Sequence, residues 1–363
     1  MYKIPTSFYE KTSEWIQSLQ LPLEQVPLYY RIIYPAETRS LPDIKGYDGH
    51  RWLPVCSCDD AFVAVIPNGR LATSNCYVVT PDNKRLRDLE YDCPPMTLTE
   101  LPPPIHMKKT VATLVWGWNL PHYTTRTHNI FGHWFFDILP RFHLLEESGI
   151  PIDHYVIGKL HYPFQYESLR MLGIPMDKLI EVEELDFHLV ADVLLAPAVP
   201  VVIGKCPPWA SRYIVERLKH NQQIPRRRGF DRIYISREDA VMRHVANEAE
   251  VIGMLESFGF RKIVLSPLST AEKIAIFSSA RTVIAPFGSG SINIAFCEPG
   301  TNYIELSPSN VTDNYFWKLA GHAGVHYYEM ICPIERPDKP VPGMDNIIVN
   351  ITKLKRIMRL AGV

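Results

Sequence analysis

Residues 279–308 read SARTVIAPFGSGSINIAFCEPGTNYIELSP. Val283-Ile284-Ala285 is an apolar, strand-like run that stops at Pro286 and opens into Gly288-Ser289-Gly290-Ser291. A helix-like run from Ser291 to Phe296 follows, and a second apolar strand, Tyr303 to Leu306, ends around Glu305. Strand, turn, helix and strand in this order make a βαβ unit, and so a parallel sheet. Ligands of such sheets sit at the carboxyl ends of strands, where a loop enters a helix. A helix start offers unpaired N–H groups and the positive end of its dipole. Glycines permit close approach and positive φ, and serines add hydroxyl donors. The turn therefore suits a diphosphate; a plain strand-to-helix corner is the alternative reading. It is neither GxGxxG nor GxxxxGK[ST], so a dehydrogenase or P-loop kinase does not fit.

Its neighbours extend the pattern. Glu305, one strand over, is a carboxylate able to take both hydroxyls of a ribose. Ser236-Arg237 ends the first strand of this half and Arg243 follows in the connecting loop, so two arginines can neutralise a diphosphate without a metal. No Asp-x-Asp occurs in the chain, which removes the usual carboxylate arrangement for a metal-bound nucleotide.

Working outward, Asp231–Ser236, Lys262–Val264 and Arg281–Ala285 read as strands, with helices over Asn247–Phe258 and Thr270–Ser279 between them. Upstream, Phe131–Ser148 reads as a helix closed by Gly149, Tyr155–Ile157 as a strand, Phe164–Leu172 as a helix closed by Gly173, and Val193–Ala196 as a strand. The stretch from 43 to 118 carries short β-type runs and many prolines. The expected division is an extension over 1–42, a Rossmann-like domain with an irregular β segment over 43–225, a second Rossmann-like domain over 226–330, and a tail over 331–363. Arg226-Arg227-Arg228-Gly229 is the expected hinge.

At 363 residues the chain is long enough for two cores. Its 46% hydrophobic and 21% charged content is that of a globular protein. A net charge of −1 gives no reason to expect nucleic acid as a partner. Seven cysteines without regular spacing argue against a disulfide framework; Cys56-x-Cys58 is the one close pair, and no second pair completes a metal site. The first residues lack the apolar core of a secretory signal, so the expected location is cytoplasmic. The basic amphipathic run 351–360 has two readings: packing back on the first domain, or peripheral contact with the inner face of an anionic membrane.

Laid in order, several of these segments resemble glycosyltransferase family 61. They are Tyr234-Ile235-Ser236-Arg237, Arg243, Asn247-Glu248, Leu268-Ser269-Thr270-Ala271-Glu272, Ala285 through Asn293, and Glu305-Leu306. His133-Trp134-Phe135-Phe136-Asp137-Ile138-Leu139-Pro140-Arg141 resembles the family's His-Trp-x-x-Asp-x-Leu-Pro-Arg helix. The resemblance covers about 125 to 330. One departure stands out: where the family has a histidine before the glycine turn, this chain has Phe287, and Ser289 replaces its alanine.

The resemblance implies an α/β fold of GT-B architecture, two Rossmann-like domains facing a cleft. It also implies inverting transfer of a sugar from a nucleotide sugar, favouring a uridine diphosphate donor, to a glycan or lipid-linked glycan acceptor. No cofactor or metal is expected. The donor site it outlines comprises Ser236, Arg237, Arg243, Asn247, Phe287, Gly288, Ser289, Gly290, Ser291, Asn293 and Glu305. His133 and Asp137, four apart on one helix, are the candidates for catalysis: Asp137 as base and His133 as helper, the reverse staying open. A purely structural pairing of the two is the alternative, and His128-Asn129 are further polar candidates. Two other functions stay open: an epimerase or hydrolase acting on a nucleotide sugar without an acceptor, and a non-catalytic scaffold, motivated by Phe287.

Overall fold

The computed structural model describes residues 3–45, 52–73, 77–90, 100–115, 129–183, 187–200, 205–311, 313–338, 340 and 343–363. The chain forms two units, one of residues 1–37 and 57–202, the other of residues 38–56 and 203–363. The join expected near 226 thus falls at 202–203. The reason is local: helix Pro208–Val215 packs on helix Tyr315–Ala323 and on segment Ser289–Phe296, all in the second unit.

The second unit is built on a five-stranded sheet in which every pairing is parallel. Across the sheet the strands run Arg261–Ile263, Arg232–Ile235, Thr282–Pro286, Asn302–Pro308 and His326–Cys332. In chain order this is 2-1-3-4-5, a common doubly wound arrangement. Such strands are covered on both faces and must be apolar almost throughout; all five residues of Thr282–Pro286 are buried. Helix Glu248–Glu256 and helix Ile351–Leu360 cover one face, where Val251, Leu255, Leu354, Ile357 and Met358 pack on Tyr234, Ile284, Ile304 and Leu306. The basic tail helix therefore packs on this unit's own sheet; Lys355, Arg356 and Arg359 stay exposed. Segment 38–45 joins the far edge: Lys45 forms a parallel bridge with Tyr328, and Trp317 Nε1 donates to Pro42 O at 2.8 Å.

The first unit holds a ten-stranded mixed sheet. Its parallel part is made of Ile105–Thr113, His154–Gly158 and Leu179–Val182, with helices Leu139–Ser148 and Pro163–Leu172 in the connections. The long strand His188–Pro197 runs parallel to Ile105–Thr113 on one side. On its other side it pairs antiparallel with Ala61–Pro67 and Arg70–Ala72. This antiparallel share makes the unit less regular than the Rossmann-like domain expected, because one strand, interrupted at Asn68-Gly69, runs antiparallel along its whole partner. Gly149 and Gly173 end their helices with φ of +64° and +75°, as the sequence suggested. Among the described residues no helix is long and apolar enough to cross a membrane.

Candidate functional site

In a 2-1-3-4-5 sheet the chain leaves strands 1 and 3 in opposite directions, which opens a crevice between their carboxyl ends. Here those ends are Ile235, leading to Ser236-Arg237, and Pro286, leading to Phe287-Gly288. The glycine turn and the first arginine thus meet at the switch point. Neither Gly288 nor Gly290 takes a left-handed φ, contrary to one reason given for them. What they supply is room. A Cβ on Gly288 would stand 2.0 Å from Arg237 Nη1, and one on Gly290 would stand 2.8 Å from Leu265 Cδ1. Ser289–Phe296 is a 3₁₀ helix rather than an α-helix; Ser291 N–H donates to Gly288 O at 2.8 Å and opens it.

Five residues close a ring beside the turn. Arg237 lies on Gly288, and its Nε and Nη2 donate to Met242 O at 3.3 and 3.1 Å. The next residue, Arg243, takes a left-handed φ of +60°, rare for a non-glycine residue and concentrated at functional sites. Its guanidinium then sits 5.4 Å from the centroid of the Phe287 ring, which precedes Gly288. Phe316 braces that ring edge-on, at 5.2 Å and 68°.

The other expected donor residues serve the frame. Ser236 Oγ donates to Glu248 Oε1 at 2.9 Å, as Tyr234 OH does at 2.8 Å. Asn247 accepts from Val349 N–H and donates to Val349 O, both at 2.9 Å, which pins the returning tail. Asn293 Nδ2 donates to Gly290 O at 2.8 Å. Ser291 Oγ accepts from Tyr303 OH at 2.7 Å, and Ser289 is partly exposed at the turn. Glu305 is not at a strand end: its strand runs on to Pro308, and the side chain is 2% exposed. Ser307 Oγ and Tyr303 OH donate to it at 2.9 and 3.3 Å. Burial, then the facing Glu329, push Glu305 up to about 8. It is a buried acid beneath the turn, not an open ribose ligand.

In the first unit the expected helix over 131–148 is present with one irregularity. Phe131–His133 is α-helical, Trp134–Ile138 forms a π turn closed by Leu139 N–H to Trp134 O, and Leu139–Ser148 continues as α-helix. Pro140 accounts for it: it has no N–H for Phe136 O, and its ring crowds that carbonyl, so the backbone widens. His133 Nδ1 and Asp137 Oδ2 are 2.5 Å apart. The Asp137 side chain is 2% exposed and that of His133 is 39% exposed. Below them lies Arg141, buried, with Nη2 donating to Thr113 O and Pro197 O. Burial pulls Arg141 down to about 9 while Asp137 raises it, so it stays charged at neutral pH. His128 lies outside the described residues, and Asn129 Oδ1 accepts from Gln165 Nε2 at 3.3 Å.

A family model, Glycosyltransferase 61, matches residues 131–304, from the start of this helix to the middle of the strand that holds Glu305. This match, over just under half of the chain, supports membership of glycosyltransferase family 61. No curated protein matches the chain. Family 61 membership implies glycosyltransferase chemistry.

The motifs of the matched stretch divide by physical role. Leu268-Ser269-Thr270-Ala271-Glu272 is a capping box: Ser269 Oγ accepts from Glu272 N–H at 3.2 Å and Glu272 Oε2 accepts from Ser269 N–H at 3.0 Å. Phe316, Tyr327 and Glu329 escaped the sequence reading, although Tyr303-x-Glu305-x-Ser307 already alternates toward one face. A cleft of about 910 Å³ lies at the opposite, amino-terminal edge of the sheet, lined by Arg226, Arg227, Arg228, Arg232 and Arg281. Arg226 pairs with Glu298, Arg281 with Asp231, and Arg232 donates to Phe258 O. Those arginines offset acids and helix ends, so size does not make this cleft the site.

Proposed function

We propose that this protein is an inverting, metal-independent glycosyltransferase that uses a nucleotide sugar, a uridine diphosphate sugar being favoured, and a glycan or lipid-linked glycan acceptor. The observation that carries the reading is Arg237 seated on Gly288 at the switch point of the second unit. There the two arginines and the N–H groups of the turn face the place where a diphosphate's charge grows as it leaves.

In this reading the first unit supplies the base, and the GT-B arrangement belongs to the proposal. The burial of Asp137 favours exchanging the roles expected from sequence. His133 takes the proton as the acceptor oxygen attacks the anomeric carbon, and Asp137 holds the ring and offsets the imidazolium. The bond from that carbon to the phosphate oxygen breaks, and the nucleoside diphosphate leaves with the electron pair.

Calorimetric or thermal-shift titration with UDP, GDP, CDP, dTDP and CMP, with and without EDTA, tests it. At 100 times its Kd a ligand adds about 2.7 kcal/mol of stability. Binding of one diphosphate that survives EDTA and is lost in Arg237→Ala is the expected result. Binding by none, or only with a divalent metal, rejects it.

A further inference from the structure

We propose that Phe287 is a positioning residue for Arg243, serving as the aromatic platform that holds its guanidinium at the glycine turn. The inference rests on the diphosphate reading above and adds to it what aims the second cation. Arg237 clamps Met242 O with two donors, and that fixed carbonyl directs the chain into the left-handed conformation of Arg243. From there the guanidinium reaches the Phe287 ring at 5.4 Å. The ring cannot turn away freely. It is 8% exposed, Phe316 meets it edge-on at 5.2 Å, Tyr315 backs Phe316 at 5.7 Å, and Phe287 N–H donates to Leu306 O at 3.1 Å.

A guanidinium over a ring face is held by the ring quadrupole, a contact that uses none of its N–H donors. A flexible arginine loses rotamer freedom when a ligand fixes it; one already seated on a ring loses less. The ring carries no titratable group, so it holds the cation across the physiological pH range. Phe287, a non-donor where a hydrogen-bonding side chain would be looked for, thereby acts through Arg243 rather than on the ligand itself.

The test has two readouts on the full-length chain. In the ligand-free protein the Arg243 Nε–Hε NMR resonance, assigned with Arg243→Lys, should be shifted upfield by the ring current. It should move to the ordinary arginine position in Phe287→Leu and remain shifted in Phe287→Tyr. In calorimetry with UDP, at a temperature where every variant is folded, Phe287→Leu should weaken binding about 5–30-fold and Phe287→Tyr no more than about twofold. An unshifted resonance in the unaltered chain overturns the platform directly. Normal UDP affinity in Phe287→Leu overturns its role while leaving the diphosphate reading intact. No binding of any nucleoside diphosphate by the unaltered chain, despite a shifted resonance, overturns both.

Discussion

Glu305 and Glu329 stand opposite one another on neighbouring parallel strands, each 2% exposed. Two buried carboxylates side by side cannot both ionise without large cost, and Glu305 is accordingly pushed up to about 8, by burial first and by Glu329 second. The folded chain therefore keeps a proton that the unfolded chain releases near the ordinary glutamate value of about 4.3. The stabilisation is complete below that value and is lost as pH rises toward 8. Glu90, raised to about 7 by burial in the other unit, slopes the same way. The informative comparison is thus with Glu329→Gln, which removes the repulsion without changing shape. That variant should gain on the order of 2 kcal/mol at pH 8, or about 4–8 °C, and little at pH 5. Melting curves from pH 5 to 8.5 measure this; parallel curves for the two proteins would contradict it.

Gly288→Ala places a methyl 2.0 Å from Arg237 Nη1. The atom it meets is the end of a flexible side chain, so the fold should tolerate it and the melting point should move little. Arg237 must leave the turn, and UDP affinity should fall about 10–100-fold. Unchanged affinity would detach Arg237 from the diphosphate.

His133 and Asp137 should separate by variant. His133→Ala removes a partly exposed ring, lowering kcat about 10²–10⁴-fold with UDP affinity unchanged, at some cost in stability because buried Asp137 loses a partner. Asp137→Asn should lower kcat and also cost a few kcal/mol of stability, because buried Arg141 loses the charge that raises it. Full turnover in His133→Ala would return the base role to Asp137.

Asn247→Ala removes both bonds to the Val349 peptide. It should destabilise the second unit by about 2 kcal/mol and leave UDP affinity within error, as a frame residue does. Weakened binding in the folded variant would restore Asn247 to the donor site.

The alternation of the second half was legible because each of its strands is parallel and covered on both faces, so each reads as a short apolar run between helices. Strand order was not, since neighbours are set by which helix crosses which face, and the switch point that brings Arg237 to Gly288 appears only with the sheet. Asn247 and Asn293 have the composition of ligand residues, yet their partners are backbone groups of Val349 and Gly290; nothing local distinguishes the two uses. Asp137 was legible as a partner of His133 but its burial was not, because the π turn at Pro140 changes the spacing on which a helical face is counted. Residues 43–118 resisted for another reason: three of their strands, Ala61–Pro67, Arg70–Ala72 and Ile105–Thr113, pair with His188–Pro197, far away in the chain, and leave only weak local signals.

The way the tail returns bears on how this protein can be cut. Tyr234, Val251, Leu255, Ile284 and Ile304 lie inside the stretch matched by the family model, and they bury their apolar surface against Tyr328, Met330, Leu354, Ile357 and Met358, which lie beyond it. A piece trimmed to 131–304 would bare the part of its sheet covered by the final helix and lose the edge strand His326–Cys332. Homology borders and autonomous folding borders are different things here, and the smallest piece that keeps the second unit whole must reach both back to residue 38 and forward through the final helix.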